Sequence, residues 1–290
     1  MIFDKIIHIP NKIFYPIKNI DQEINQTFSK FGFIKDLNEI ENKKLANEIN
    51  DYLKKIDLKK IINSHITKNP QSYSINIFNY LDEEIQNKVL NFFTNIEKIK
   101  KINSMLGYEV KFRSIVLMLN FYNKETKENE GPKMFHRDSD SLQDQVKIFM
   151  LINNIDDRNG MFYFVPKNII NEDTKLPFEK DLKNLSLEDK WRNHDKTVYL
   201  LAKKKKIKDP IMKLHGYQGE LLYVDTGKVY HKGGYISEKD KMRLLLQAVY
   251  TPVLSLSNWN NNKNFILKFI QNKLTSLRIK FRKTIILDEI

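Results

Sequence analysis

His136, Arg137 and Asp138 have the residue types and spacing best suited to chemistry, within Met134-Phe135-His136-Arg137-Asp138-Ser139-Asp140. If this segment is extended, side chains alternate between faces, so His136 and Asp138 point one way and Arg137 the other. An imidazole and a carboxylate then stand side by side. A second histidine would complete the two-histidine, one-carboxylate set that holds non-haem iron(II) with coordination positions left open. The candidate is His231, on what reads as a strand end in Val229-Tyr230-His231-Lys232-Gly233-Gly234. A histidine beside an aspartate is also a common surface pair or structural hydrogen bond, so the triplet needs support from its surroundings.

Arg243 supplies that support, at the start of the apolar run Leu244-Leu245-Leu246-Gln247-Ala248-Val249-Tyr250. An arginine facing into a barrel needs an anion, because an unpaired buried charge is costly, and its planar fork suits a carboxylate. Four segments, MFHRDSDS, VKIFMLINNIDDRNGMFYFVP, GYQGELLYVDTGKVYHKGG and MRLLLQAVYTP, follow one another in a recognisable order across roughly residues 110 to 252. Over that span the chain resembles the phytanoyl-CoA dioxygenase-like group of iron(II)/2-oxoglutarate-dependent oxygenases. The resemblance implies that His136, Asp138 and His231 ligate iron and that Arg243 binds the distal carboxylate of 2-oxoglutarate. It also implies polar contacts to 2-oxoglutarate from the strand before the metal segment. Asn120 is the choice there, with Tyr122 in phase with it, the alternative being that both are ordinary satisfied barrel residues.

The activity implied is hydroxylation of an unactivated C–H of a small molecule, using dioxygen and converting 2-oxoglutarate to succinate. With Asp138 present, hydroxylation fits better than halogenation, which needs that ligand position free. Desaturation or ring closure depends on substrate pose and stays open. Two other readings stand beside this one. One is a metal-binding jelly roll without turnover. The other is an oxygenase acting on a membrane- or nucleic-acid-associated substrate.

These residues need a scaffold. The chain has 290 residues, 41% of them hydrophobic, enough for a substantial core. It contains no cysteine, which excludes disulfides, thiolate metal sites and cysteine nucleophiles and fits a reducing compartment. The first residues are too broken by charge for a signal peptide, and no apolar run approaches membrane-spanning length, so the cytoplasm is the expected location. A net charge of +13 invites a nucleic-acid reading, but lysine dominates it, and a phosphate reader would favour the arginine fork. No specific nucleic-acid partner is expected; an anionic small substrate is the more natural beneficiary.

The expected architecture is one domain, mainly β with flanking helices: a double-stranded β-helix (jelly roll, cupin-like) barrel. Residues 1–107 form an N-terminal helical layer, residues 108–252 the barrel, and residues 253–290 a C-terminal tail. Two or three amphipathic helices are predicted over 21–66, broken at Phe31-Gly32-Phe33, and another pattern runs from Leu81 towards Met105 and Gly107. Strands are predicted at 113–122, 146–152, 161–165, 221–224 and 244–250, joined by turn signals rather than helices.

Lys147 either reaches a carboxylate or snorkels outward, and Gly233-Gly234 either admits a close backbone approach or is a plain loop pair. Asp225-Thr226-Gly227 reads as a turn. His8, His65, His194 and His215 read as structural or exposed, with His194 and Trp191 placed in the insertion 167–213. That insertion is either a lid or a surface excursion. The basic amphipathic stretch 264–286 either covers the barrel or a dimer partner, or lies on an anionic membrane, the first being the commoner use. The sequence leaves the oligomeric state undetermined.

Overall fold

Strict alternation along residues 242–252 shows how the barrel is built. Leu244, Leu246, Ala248 and Tyr250 are buried in an apolar core, while Arg243, Leu245 and Gln247 face a cavity. A strand with one apolar face and one mixed face must lie between a packed layer and an interior space. A computed structural model of the chain describes residue 17 and residues 20–36, 40–126, 133, 135, 136, 138, 145–169, 198, 202, 203 and 206–253.

The N-terminal elements are α1 (Gln22–Phe31), β1 (Phe33–Asp36), α2 (Ile40–Leu53), α3 (Leu58–Lys68) and β2 (Ser74–Asn76). Then come α4 (Glu83–Phe93) and α5 (Ile96–Leu106). Local chemistry sets their ends. Asp21 accepts from Ile24 N at 3.0 Å to start α1, and Asp82 accepts from Ile85 N at 2.8 Å to start α4. Gly107, at φ 79°, closes α5 in the left-handed conformation that a helix C-terminus favours in glycine.

The barrel strands are β3 (Val110–Phe121), β4 (Val146–Leu151), β5 (Phe162–Val165), β6 (Met212–Leu214), β7 (Leu221–Asp225), β8 (Tyr230–Gly233) and β9 (Met242–Pro252). They form a large sheet in the order β1-β7-β4-β9-β3-β2 and a small one in the order β6-β5-β8. Every pairing is antiparallel. His136 extends the small sheet beyond β8 through a bridge to His231. From β3 the chain alternates between sheets: large, small at His136, large at β4, small at β5 and β6, large at β7, small at β8, large at β9. Two facing sheets wound in this way are a double-stranded β-helix, as expected.

Behind the large sheet the helices close the core. Phe28, Ile49, Leu53, Val89, Phe93 and Ile102 are fully buried against Leu117, Ile148, Leu246 and Tyr250. The Tyr250 hydroxyl donates to the Phe93 carbonyl at 2.5 Å, which pins α4 to β9 and satisfies the one polar atom this ring buries.

Some boundaries differ from the sequence reading. Residues 33–36 form a strand at the break expected between two helices, where no strand was predicted, paired with Leu221–Val224 of β7. The single helical pattern from Leu81 is two helices, because Asn95 accepts from Glu97 N at 2.8 Å and starts a new one. The short strands β2 and β6 had no sequence signal. Most of the insertion 167–213, with Trp191 and His194, lies outside the described residues. So do His8, the larger part of the loop 123–132 and the whole stretch 264–286.

Candidate metal centre

The two histidines are brought together by main chain. His136 N donates to His231 O at 3.0 Å and His231 N donates to His136 O at 2.9 Å. A reciprocal antiparallel bridge places both side chains on one face, and here the ring centroids are 4.5 Å apart. Asp138, two residues on, is fixed by its own N–H, which donates to the Thr226 carbonyl at 3.0 Å. The ligand atoms of His136, Asp138 and His231 all lie within 4.8 Å of one another. Among the described residues this is the one such cluster of His, Cys, Asp or Glu.

Protonation suits a metal. His231 Nδ1 is 3.0 Å from the Val229 carbonyl, so that nitrogen carries the proton and Nε2 keeps a lone pair towards Asp138 Oδ1, 3.9 Å away. Burial pushes the His231 imidazole down to about 3, against the pull of Asp138 and with further depression from His136 and Lys147. The ring is therefore neutral, as a ligand must be. Burial alone would raise Asp138, but the Lys147 charge and hydrogen bonds from Thr226 and Lys147 outweigh it and hold the carboxyl well below the usual range. Phe162 stacks on His231 with centroids 5.6 Å apart and walls off that side.

The cluster opens into a cavity of about 280 Å³ that Arg243 also lines. Arg243 is 6% exposed. Its Nε donates to Asn120 Oδ1 at 3.2 Å, and its Nη1 donates to the Gly160 carbonyl. No carboxylate pairs with it among the described residues. Burial lowers the guanidinium to about 10, with Tyr73 and Tyr163 opposing the shift, so it stays cationic at neutral pH. Gly233 makes the space: a Cβ there would stand 2.9 Å from Arg243 Nη2. A Cβ on Gly234 would stand 2.5 Å from the Met161 carbonyl, so this pair does permit a close backbone approach.

The other expected residues are placed as follows. Asn120 lines the cavity and holds Arg243; Tyr122 lies past the end of β3 and is not among the described lining residues. Lys147 reaches a carboxylate, that of Asp138, at 2.9 Å. The expected turn at 225–227 is displaced by one residue: Asp225 ends β7, residues 226–228 turn, and Lys228 N donates to the Asp225 carbonyl at 3.0 Å. His65 bonds Ser72 Oγ at 2.8 Å, and exposed His215 offers its carbonyl to Lys35. The sequence reading missed Gln145, whose Nε2 donates to Asp138 Oδ2 at 3.2 Å, although it precedes β4 in phase with Lys147. It also missed Lys35 and Glu220, an ion pair at 2.6 Å in the cavity wall, because no strand was expected at β1.

No family model matches the chain, and no curated protein matches it. Solved structures do resemble it. They include EctD from S. alaskensis with 2-oxoglutarate and 5-hydroxyectoine, 15% identical, covering 82% of this chain and 79% of that one at a TM-score of 0.48. The epimerase SnoN in complex with Fe3+, alpha ketoglutarate and nogalamycin RO is 10% identical, with 80% and 84% covered and a TM-score of 0.48. AviO1 from Streptomyces viridochromogenes Tue57 is 11% identical, with 81% and 96% covered and a TM-score of 0.46.

Proposed function

We propose that the chain is an iron(II)- and 2-oxoglutarate-dependent oxygenase that hydroxylates an unactivated C–H of a small molecule. One observation carries the reading: a neutral-histidine, ionised-aspartate cluster shares a cavity with a buried arginine that has no acidic partner among the described residues. The cluster offers nitrogen and oxygen donors of the kind iron(II) takes in such sites, and Arg243 leaves an anion to be supplied from outside the chain. Iron with 2-oxoglutarate, when bound, supplies the oxidising power drawn from dioxygen.

The rest belongs to the chain's own residues. His136, Asp138 and His231 would hold the metal on one side, leaving the cavity side free. Arg243, aimed by Asn120 Oδ1, would take the distal carboxylate of 2-oxoglutarate through its remaining N–H groups. Phe149, Phe162, Leu151 and Leu245 line the space between with apolar surface and keep water from it.

The test is an anaerobic titration of the iron(II)-loaded protein with 2-oxoglutarate, following the weak visible charge-transfer band of a chelated 2-oxo acid. The band should appear and saturate, and Arg243→Ala should shift the midpoint upward by roughly 2–5 kcal/mol in binding free energy. Iron binding without the band would leave a metal-binding module without turnover. Failure to bind iron would remove the metal centre.

A further inference from the structure

Asp138 shows its two oxygens to different neighbours. Oδ1 is the one near His231 Nε2, at 3.9 Å, where the ligand atoms converge. Oδ2 lies 2.9 Å from Lys147 Nζ and accepts from Gln145 Nε2 at 3.2 Å. Gln145 is itself anchored, its Nε2 lying 3.2 Å from Thr226 Oγ1, and the carbonyl of Thr226 already holds Asp138 N. Lys147 projects inward from β4 with a side chain 14% exposed, and Asp138 is its one acidic partner among the described residues.

A lysine in this position works against a metal. Its charge repels any cation that Asp138 holds, and it competes for the anion that the cation needs. A site built only to bind a metal tightly gains nothing from it. What the lysine does secure is geometry. A carboxylate can bind a metal through one oxygen or two, and the second oxygen would take a position that a 2-oxo acid or dioxygen requires.

We propose that Lys147, together with Gln145, is a positioning residue that ties down the outer oxygen of Asp138, so that the carboxylate offers a metal Oδ1 alone. The inference rests on the metal centre proposed above and adds a trade: Lys147 gives up metal affinity to keep coordination positions open.

The trade makes two quantities move in opposite directions. In Lys147→Met, Mn(II) affinity, read by the resonance of free Mn(II), should rise by about tenfold or more, the scale expected for removing a unit charge near a divalent ion. In the same variant, 2-oxoglutarate affinity of the Mn(II)-loaded protein, read by calorimetry, should fall. Lys147→Arg keeps the cation and the donor and should return both values towards wild type, which a filler of space would not do. Unchanged or weaker Mn(II) binding in Lys147→Met, or unchanged 2-oxoglutarate binding, overturns the proposal while leaving the metal centre standing. Wild-type protein that binds no Mn(II) removes the metal centre and the proposal with it. Should Lys147→Met not fold, Gln145→Leu decides: it should lower 2-oxoglutarate affinity with little change in Mn(II) affinity, and no change in either counts against the proposal.

Discussion

The two sheets of the barrel divide the labour unequally. The large sheet is packed on its outer face by helices, and one continuous core cluster runs from Phe28 in α1 through Ile148 and Leu246 to Tyr250. Among the described residues the small sheet has smaller clusters, such as Phe135, Val165, Val198 and Tyr230. Yet the small sheet carries both histidines, through the bridge between His136 and His231, while the large sheet supplies Lys147, Asn120 and Arg243 from its inner face. Stability is concentrated where helices can cover apolar surface, and the candidate ligands hang mainly on main-chain hydrogen bonds. Among the described residues the small sheet's clusters hold fewer buried side chains than the main core, so these main-chain bonds carry more of the ligands' positioning.

Truncation in the large sheet tests this division most severely. Leu246 is fully buried in the main cluster, and Leu246→Ala should cost roughly 2–5 kcal/mol in unfolding free energy while the folded protein keeps its metal affinity. Denaturant melts together with a metal titration check both halves. A loss of metal affinity at unchanged fold content would mean that the two sheets are not separable. A smaller effect is expected where the small sheet is drawn tight. Gly234 N donates to the Met161 carbonyl at 2.6 Å, and an added Cβ would meet that oxygen at 2.5 Å. Gly234→Ala should therefore cost about 1–3 kcal/mol through overpacking. It should also weaken 2-oxoglutarate binding, because the neighbouring Gly160 and Met161 carbonyls both accept from Arg243. Unchanged 2-oxoglutarate affinity would detach Arg243 from this contact.

Which parts were legible follows the same division. The alternation in Arg243-Leu244-Leu245-Leu246-Gln247-Ala248 groups Arg243 with Leu245 and Gln247 on one face, but which face is inward came from the resemblance and not from the alternation. His136 and Asp138 are legible because two residues of extended chain put them on one face. Long-range pairing is not legible. Phe33–Asp36 has weak strand character of its own and becomes a strand because Leu221–Val224 offers it an edge. That pairing is what brings Lys35 beside Glu220. Tyr122 was chosen by alternation from Asn120, but β3 ends at Phe121, and phase has no meaning beyond a strand end. Lys147 had two readings because its own sequence context cannot show where Asp138 lies.

The mildest test bears on the small sheet through pH. His231 holds its proton less readily in the fold than the 6.5 of an unperturbed imidazole, pushed down by burial to about 3. The unfolded chain thus binds a proton near pH 6.5 that the folded apoprotein refuses. Stability is unaffected by this residue above that pH and declines as pH falls below it. Between pH 6.5 and 5.5 the loss should be about 1 kcal/mol from His231 alone, as measured by urea unfolding of the metal-free protein. His231→Phe should remove that part of the slope. A divalent ion bound at the cluster should raise stability through this range without moving the onset of the decline, because the ion stabilises the fold while the unfolded imidazole still sets where protons begin to bind. A slope that survives in His231→Phe would place the proton-linked group elsewhere, and the neutral ring assigned to the small sheet would lose its support.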